Sequence, residues 1–180
     1  MSRSLSVYAT DFQAVVSAAG CGDRALLKEL RRSDDSKELL AALEELVVRT
    51  DGAYSQPAEW LGFAQERLCE VYGRMLPNEC VSAISLTRLE ELDAGFETTG
   101  LGLTLQGLMY GGGPLRQLPW PSDFPSTGRW PPEVIAPALE IYERLAPTSD
   151  DPDVDALIVA VGDWLSVAAA QRHGLVGFYY

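Results

Sequence analysis

Side chains able to carry chemistry are sparse in this chain and poorly spaced. The one histidine, His173, is the sole side chain whose ordinary titration range suits a general base at neutral pH. Ser166 precedes it by seven residues, or two helical turns. The pair could share a helix face yet would lie too far apart for the hydrogen bond that activates a nucleophile. No G-x-S-x-G elbow offers another serine. Cys21, Cys69 and Cys80 form no C-x-x-C pair, and with a single histidine they give no zinc-type spacing. Carboxylates are abundant, 26 in all, so chance pairs of them mean nothing. Asp163 adjoins Trp164 in GDWLSV, but on a helix neighbours diverge by about 100°, leaving the aspartate outside and the tryptophan inside. No catalytic residue, metal site or cofactor is expected.

The run Tyr110–Gly111–Gly112–Gly113–Pro114 invites a phosphate reading, which fails on two counts. It lacks the lysine and hydroxyl of a P-loop. The prolines at 114, 119 and 121 also remove amide donors that an anion nest needs. What remains is a long segment, Gly111–Trp130. Loops beyond about 12–15 residues are uncommon in compact domains unless functional or disordered. Leu115, Leu118, Trp120, Phe124 and Trp130 would gain by burial, and proline-rich backbone loses little entropy on ordering. An ordered loop packed across the core is therefore expected. Its candidate ligand or partner residues are Tyr110, Trp120, Phe124 and Trp130 as an aromatic wall, with Arg116, Asp123 and Arg129 as polar points. Arg116 or Arg129 could orient an anion.

The elements that must position this loop are mostly helices. Ser4–Ala9 (SLSVYA) reads as a strand, and Thr10 or Asp11 then caps a helix to Ala19. Asp23 starts a second helix bearing Leu26, Leu27 and Leu30. Ser36–Arg49 places Leu39, Leu40, Leu43, Leu46 and Val47 on one face, and Asp51–Gly52 is a turn. A helix from Gln56–Pro57 carries Trp60, Phe63, Ala64, Leu68, Val71, Tyr72 and Met75 as its stripe, with Glu59, Glu66 and Glu70 elsewhere. VSAISL reads as a strand or loop before a helix ended by Gly95. Leu101–Tyr110 fits a short buried helix, which periodicity cannot separate from a strand. Pro131–Pro132 opens a helix with Val134, Ile135, Ala138, Leu139, Tyr142 and Leu145. Asp150, Asp151, Asp153 and Asp155 suit the positive end of a last helix, which carries Val154, Leu157, Ile158, Val161, Trp164, Leu165 and Ala168. Gly174–Tyr180 has strand composition. Chain ends often meet in compact domains, so the two terminal strands are expected to pair.

The formal charge is −12, and only residues 101–130 escape it, with two arginines against one aspartate. Such a field repels nucleic acid and anionic membranes and could attract a basic protein. No run of about 18 apolar residues exists to span a membrane. The start, MSRSLSVYATDF, is too short in apolar length for a secretory signal. A reduced cytoplasmic protein with buried thiols fits the unpaired cysteines.

SLSVYATDF, AQERLCEVYG, GGGPLRQLPWPSDFPSTGRW and LVGFYY together resemble a family of small bacterial proteins grouped as a domain of unknown function. The D-F-P-x-x-G-x-W run, Asp123 to Trp130, is the most specific part. Family members often close on a histidine where this chain has Tyr180. The resemblance implies no activity, cofactor or catalytic residue. The expected fold is mainly helical α+β, one domain over residues 1–180, with a small sheet including both termini. Three functions are carried forward. The first is a non-enzymatic interaction protein, of which an immunity-type protein facing a basic partner is one form. The second is a small-molecule binder using the Gly111–Trp130 loop. The third is an enzyme without a recognisable motif.

Overall fold

The computed structural model describes residues 3–49, 54–119, 121 and 124–180. Four strands, β1 (Leu5–Thr10), β2 (Gly73–Met75), β3 (Ser126–Trp130) and β4 (Gly174–Tyr179), form an antiparallel sheet in the order β2-β1-β4-β3. The terminal strands pair as expected, in register from Leu5–Tyr179 to Thr10–Gly174. β4 is buried at all six positions, because helices cover both faces of the sheet and leave no wet side. That is why LVGFY reads as a continuous apolar run rather than an alternating one.

One layer comprises α1 (Phe12–Ala18), α2 (Arg24–Leu30), α3 (Lys37–Val48) and α4 (Ala58–Val71), packed around Tyr8, Val176 and Phe178. The other comprises α5 (Leu86–Glu97), α6 (Leu105–Tyr110), α7 (Pro132–Leu145) and α8 (Pro152–Gln171), around Leu5, Val7, Leu175, Tyr179 and Trp164. The chain is thus α+β and mainly helical. Asp11, Asp23, Ser36, Ser85, Thr104 and Asp151 each accept a first-turn amide at a helix start, satisfying donors with no intrahelical partner. Asp163 is exposed and Trp164 buried, as the helix geometry requires.

Several expectations are corrected. α4 stops at Val71, and the stretch expected to continue it is β2 instead. Gly73 is a poor helix former, and its neighbours find partners along the free edge of β1. Met75 is accordingly 51% exposed rather than on a buried stripe. α5 runs through Gly95 to Glu97, and Ile84 makes only an isolated bridge to Arg3. Leu145 is half exposed, and Cys21 lies on the surface while Cys69 is fully buried. The expected Asp51–Gly52 turn lies outside the described residues.

The largest correction is β3, a strand inside the segment read as loop. Gly128 of β3 faces Gly177 of β4, and α6 lies directly over both. A Cβ at either glycine would meet the Gly107 or Leu108 carbonyl, so the helix backbone can approach the sheet only because side chains are missing there.

Candidate functional site

Alternation along β3 decides which nominated residues can act together. Ser126, Gly128 and Trp130 face the α5–α8 layer, while Thr127 and Arg129 face the α1–α4 layer, matching Tyr179, Gly177 and Leu175 against Phe178 and Val176 across the register. Trp130 is 3% exposed and stacks on Phe96 with 6.4 Å between ring centroids. Its Nε1 donates to the Thr104 carbonyl at 3.1 Å. It is a core residue. Phe124 and Tyr110 meet the Tyr179 ring edge-on at 5.5 and 5.8 Å, and the Arg3 guanidinium lies 4.0 Å over Phe124. Trp120 and Asp123 lie outside the described residues. Tyr110, Phe124 and Trp130 therefore sit on the far side of the sheet from Arg129 and, among the described residues, line no common pocket with it.

Arg116 and Arg129 do come together, at a cavity of about 340 Å³ between α4 and the loop. α4 supplies Ala58, Gly62 and Gln65, and β3 supplies Thr127. Leu115, Leu118, Pro119, Pro121 and Pro125 make the remaining wall largely apolar. A Cβ at Gly62 would lie 3.1 Å from Pro125 Cγ, so glycine is what lets the loop close against the helix. The segment thus both seals the core and lines a cavity. Its anchors are Leu115, which is buried, and Gly112, whose N–H donates to the Thr127 carbonyl at 2.9 Å.

Few backbone donors are left for a ligand. Leu115 N–H is taken by Gln65 Oε1 at 3.1 Å and Leu118 N–H by the Leu115 carbonyl at 3.2 Å, while prolines have none. The side chains offer more. Gln65 is 2% exposed; with its oxygen committed to Leu115, its Nε2 has no acceptor among the described residues. Arg129 is half-buried and donates to the Gly113 carbonyl. Burial, with Arg116 next, lowers its pKa from the ordinary arginine value. Ion pairs among the described residues involve Arg31, Arg32, Arg49, Arg67 and Arg88, so neither cavity arginine is in ion-pair contact with a described carboxylate, and Glu133 offsets the field at Arg129 only in part. Two like charges that depress each other's protonation more than Glu133 restores it favour an anion.

Sequence reading missed Gln65 because it placed the buried stripe of α4 one face away. The buried set is Leu61, Gly62, Ala64, Gln65, Leu68 and Cys69, and the spacing 61-65-68 contains the signal. Trp60 and Phe63 are drawn to the rim, where Phe63 stacks on Tyr180 at 6.0 Å.

Beside the cavity, Glu66 is also closer to the core than expected. It accepts from the Tyr8 hydroxyl at 3.0 Å and from the Tyr180 hydroxyl. Burial raises its pKa, against the two hydrogen bonds that lower it. A carboxylate whose folded pKa is raised binds more protons when folded, so it lowers stability as pH climbs from its ordinary value of about 4.3 through the folded one. Glu66→Gln keeps partners for both hydroxyls and removes that slope. Urea midpoints on either side of this window should diverge more for the parent than for the variant, in which Asp93, its pKa also raised by burial, still contributes. Glu66→Leu strands the buried Tyr8 hydroxyl and should cost about 1–3 kcal/mol.

Elsewhere, burial raises the Cys69 thiol pKa, which keeps it protonated and unreactive. Among the described residues no cluster of His, Cys, Asp and Glu is placed to hold a metal, and no helix is long and apolar enough to cross a membrane. No curated protein and no solved structure matches the chain. The family model for Domain of unknown function (DUF7691) matches residues 1–180. A fit over the whole length, on a helical α+β frame joined at its termini, makes this chain a member of the DUF7691 family.

Proposed function

We propose that the protein is a non-catalytic cytoplasmic binder of a small molecule, seated in the cavity between α4 and the Gly111–Pro125 segment. The carrying observation is the cavity itself. An apolar lining is combined with a few convergent polar groups, Arg116, Arg129, Gln65 and Thr127, the usual make-up of a ligand site. Among the described lining residues none is a carboxylate, imidazole or thiol, which favours holding a molecule over proton transfer. The volume of about 340 Å³ corresponds to about a dozen non-hydrogen atoms, taking roughly 30 Å³ for each, the share of one water in the liquid. Unpaired cysteines fit a reducing compartment. Binding of a basic protein, the immunity-type reading, draws on the net charge of −12 alone, and solubility accounts for that charge.

A metabolite screen by thermal shift tests the reading. A ligand at a hundred times its Kd should raise the melting temperature by roughly 5–10 °C. Ala58→Trp, at the half-buried first residue of α4 on the cavity lining, adds an indole there and should abolish the shift while the unliganded chain still melts cooperatively. A shift that survives Ala58→Trp places the ligand elsewhere, and a screen without any hit removes the reading.

A further inference from the structure

We propose that the molecule is an organic carboxylate whose other end carries a neutral hydrogen-bond acceptor. This rests on the cavity being a ligand site and narrows what that site selects. Three observations carry it. Arg116 and Arg129 bring two guanidiniums to the cavity with no carboxylate in ion-pair contact among the described residues, Glu133 acting on Arg129 only from beyond that distance, and guanidinium forks match a planar pair of oxygens. Gln65 lies on the α4 wall, 98% removed from solvent by its 2% exposure, with Nε2 unpartnered among the described residues. Gln65 lines the cavity, so an acceptor on the ligand would give that Nε2 a partner. Between these groups the walls are proline and leucine, which suit an apolar or aromatic body.

The same inventory disfavours a phosphoryl group. Phosphate sites draw on runs of free backbone amides. Here the Gly112, Leu115 and Leu118 amides are already bonded, and positions 114, 119, 121 and 125 are proline. The remaining donors among the described lining residues include the guanidinium and amide side chains and the separated Gly113 and Arg116 N–H groups, which form no run of consecutive amides.

Four probes matched in size separate the terms: para-acetylbenzoate, its neutral amide para-acetylbenzamide, para-isopropylbenzoate and para-acetylphenylphosphonate. Each is titrated into the full chain and followed by the amide resonances of Gly62, Gly113 and the Gln65 side chain. Para-acetylbenzoate should bind most tightly, with the amide weaker by about tenfold or more, as loss of a charge-assisted contact implies. Para-isopropylbenzoate should be several-fold weaker. Arg116→Gln, at an exposed position, should bring the acid to the level of its amide. Gln65→Glu keeps an oxygen for Leu115 N–H and should weaken the acid further than it weakens the amide.

Equal binding of acid and amide overturns the carboxylate assignment and leaves the cavity reading standing, and so does tighter binding of the phosphonate. Equal binding of the acetyl and isopropyl acids overturns the role of Gln65. If no probe moves the cavity resonances while a screened metabolite still binds and is lost in Ala58→Trp, the ligand class is wrong and the site is right. If both fail, both readings fall.

Discussion

A chain ending at His173 is expected not to fold. The seven residues removed are few, but β4 is the strand on which the molecule is assembled. It holds β1 on one edge and β3 on the other through complete ladders. Its two faces feed the two separate apolar clusters, Leu175 and Tyr179 on one side and Val176 and Phe178 on the other. All four side chains are at most 2% exposed. Burying such side chains is worth roughly 1.5–3 kcal/mol each, so about 6–12 kcal/mol in all. That is comparable to the whole net stability of a domain, about 5–15 kcal/mol. Without β4, β1 and β3 each also lose a row of backbone partners in a dry setting. Near-ultraviolet circular dichroism of the truncated chain should be flat and its denaturant curve without a cooperative step. A sigmoidal transition at the parent midpoint would mean that the sheet is not organised around this strand. Tyr180→Ala is the matched control: it removes one ring stacked on Phe63 and one hydroxyl bonded to Glu66, and it should still unfold cooperatively.

Trp130→Ala is the second large effect, and it separates two roles that the sequence leaves merged. Were Trp130 a wall of the binding site, its loss would weaken binding and spare the fold. In the structure it is enclosed by α5 and α6, parallel to Phe96 and bonded to Thr104. Truncating a buried tryptophan leaves a cavity as well as losing transfer energy, about 3–5 kcal/mol together. For a chain of this size each kcal/mol lowers the melting temperature by roughly 2–4 °C, so a fall of roughly 6–20 °C is expected. Trp130→Phe should cost about 1–2 kcal/mol, since a ring still faces Phe96 and the Thr104 carbonyl still accepts from Gly107. Below its melting point Trp130→Ala should bind the cavity ligand as the parent does. A variant that melts normally but no longer binds would reverse the assignment.

The legible parts of this molecule are those whose cause is local. Asp11 and Asp23 cap helices where an oxygen-bearing side chain precedes a periodic apolar run, whereas the cap at Ser85 lay inside VSAISL, read as strand or loop. The apolar terminal segments are strands because nothing else suits short β-branched and aromatic stretches. Arg116 and Arg129 stood out as the only positive charges of residues 101–130, and they do share a cavity. Illegible were the features whose partner is distant in sequence. β3 has a weak local signature, STGRW, and exists because β4 offers an edge nearly fifty residues later and α6 needs Gly128 to approach. The buried face of α4 was misplaced because Tyr180, at the other end of the chain, holds Phe63 at the rim.

Composition and periodicity by themselves determined the helical α+β class, the strand character of both chain ends and the absence of familiar catalytic motifs, because each follows from side-chain chemistry within a few residues; the pairing of those ends was expected only from the general tendency of termini to meet. Which residues face the same space was decided only in three dimensions. A strand sends successive side chains to opposite faces, so one residue of register parts Arg129 from Trp130. No count of neighbouring aromatics and arginines can reveal that division before the sheet is assembled.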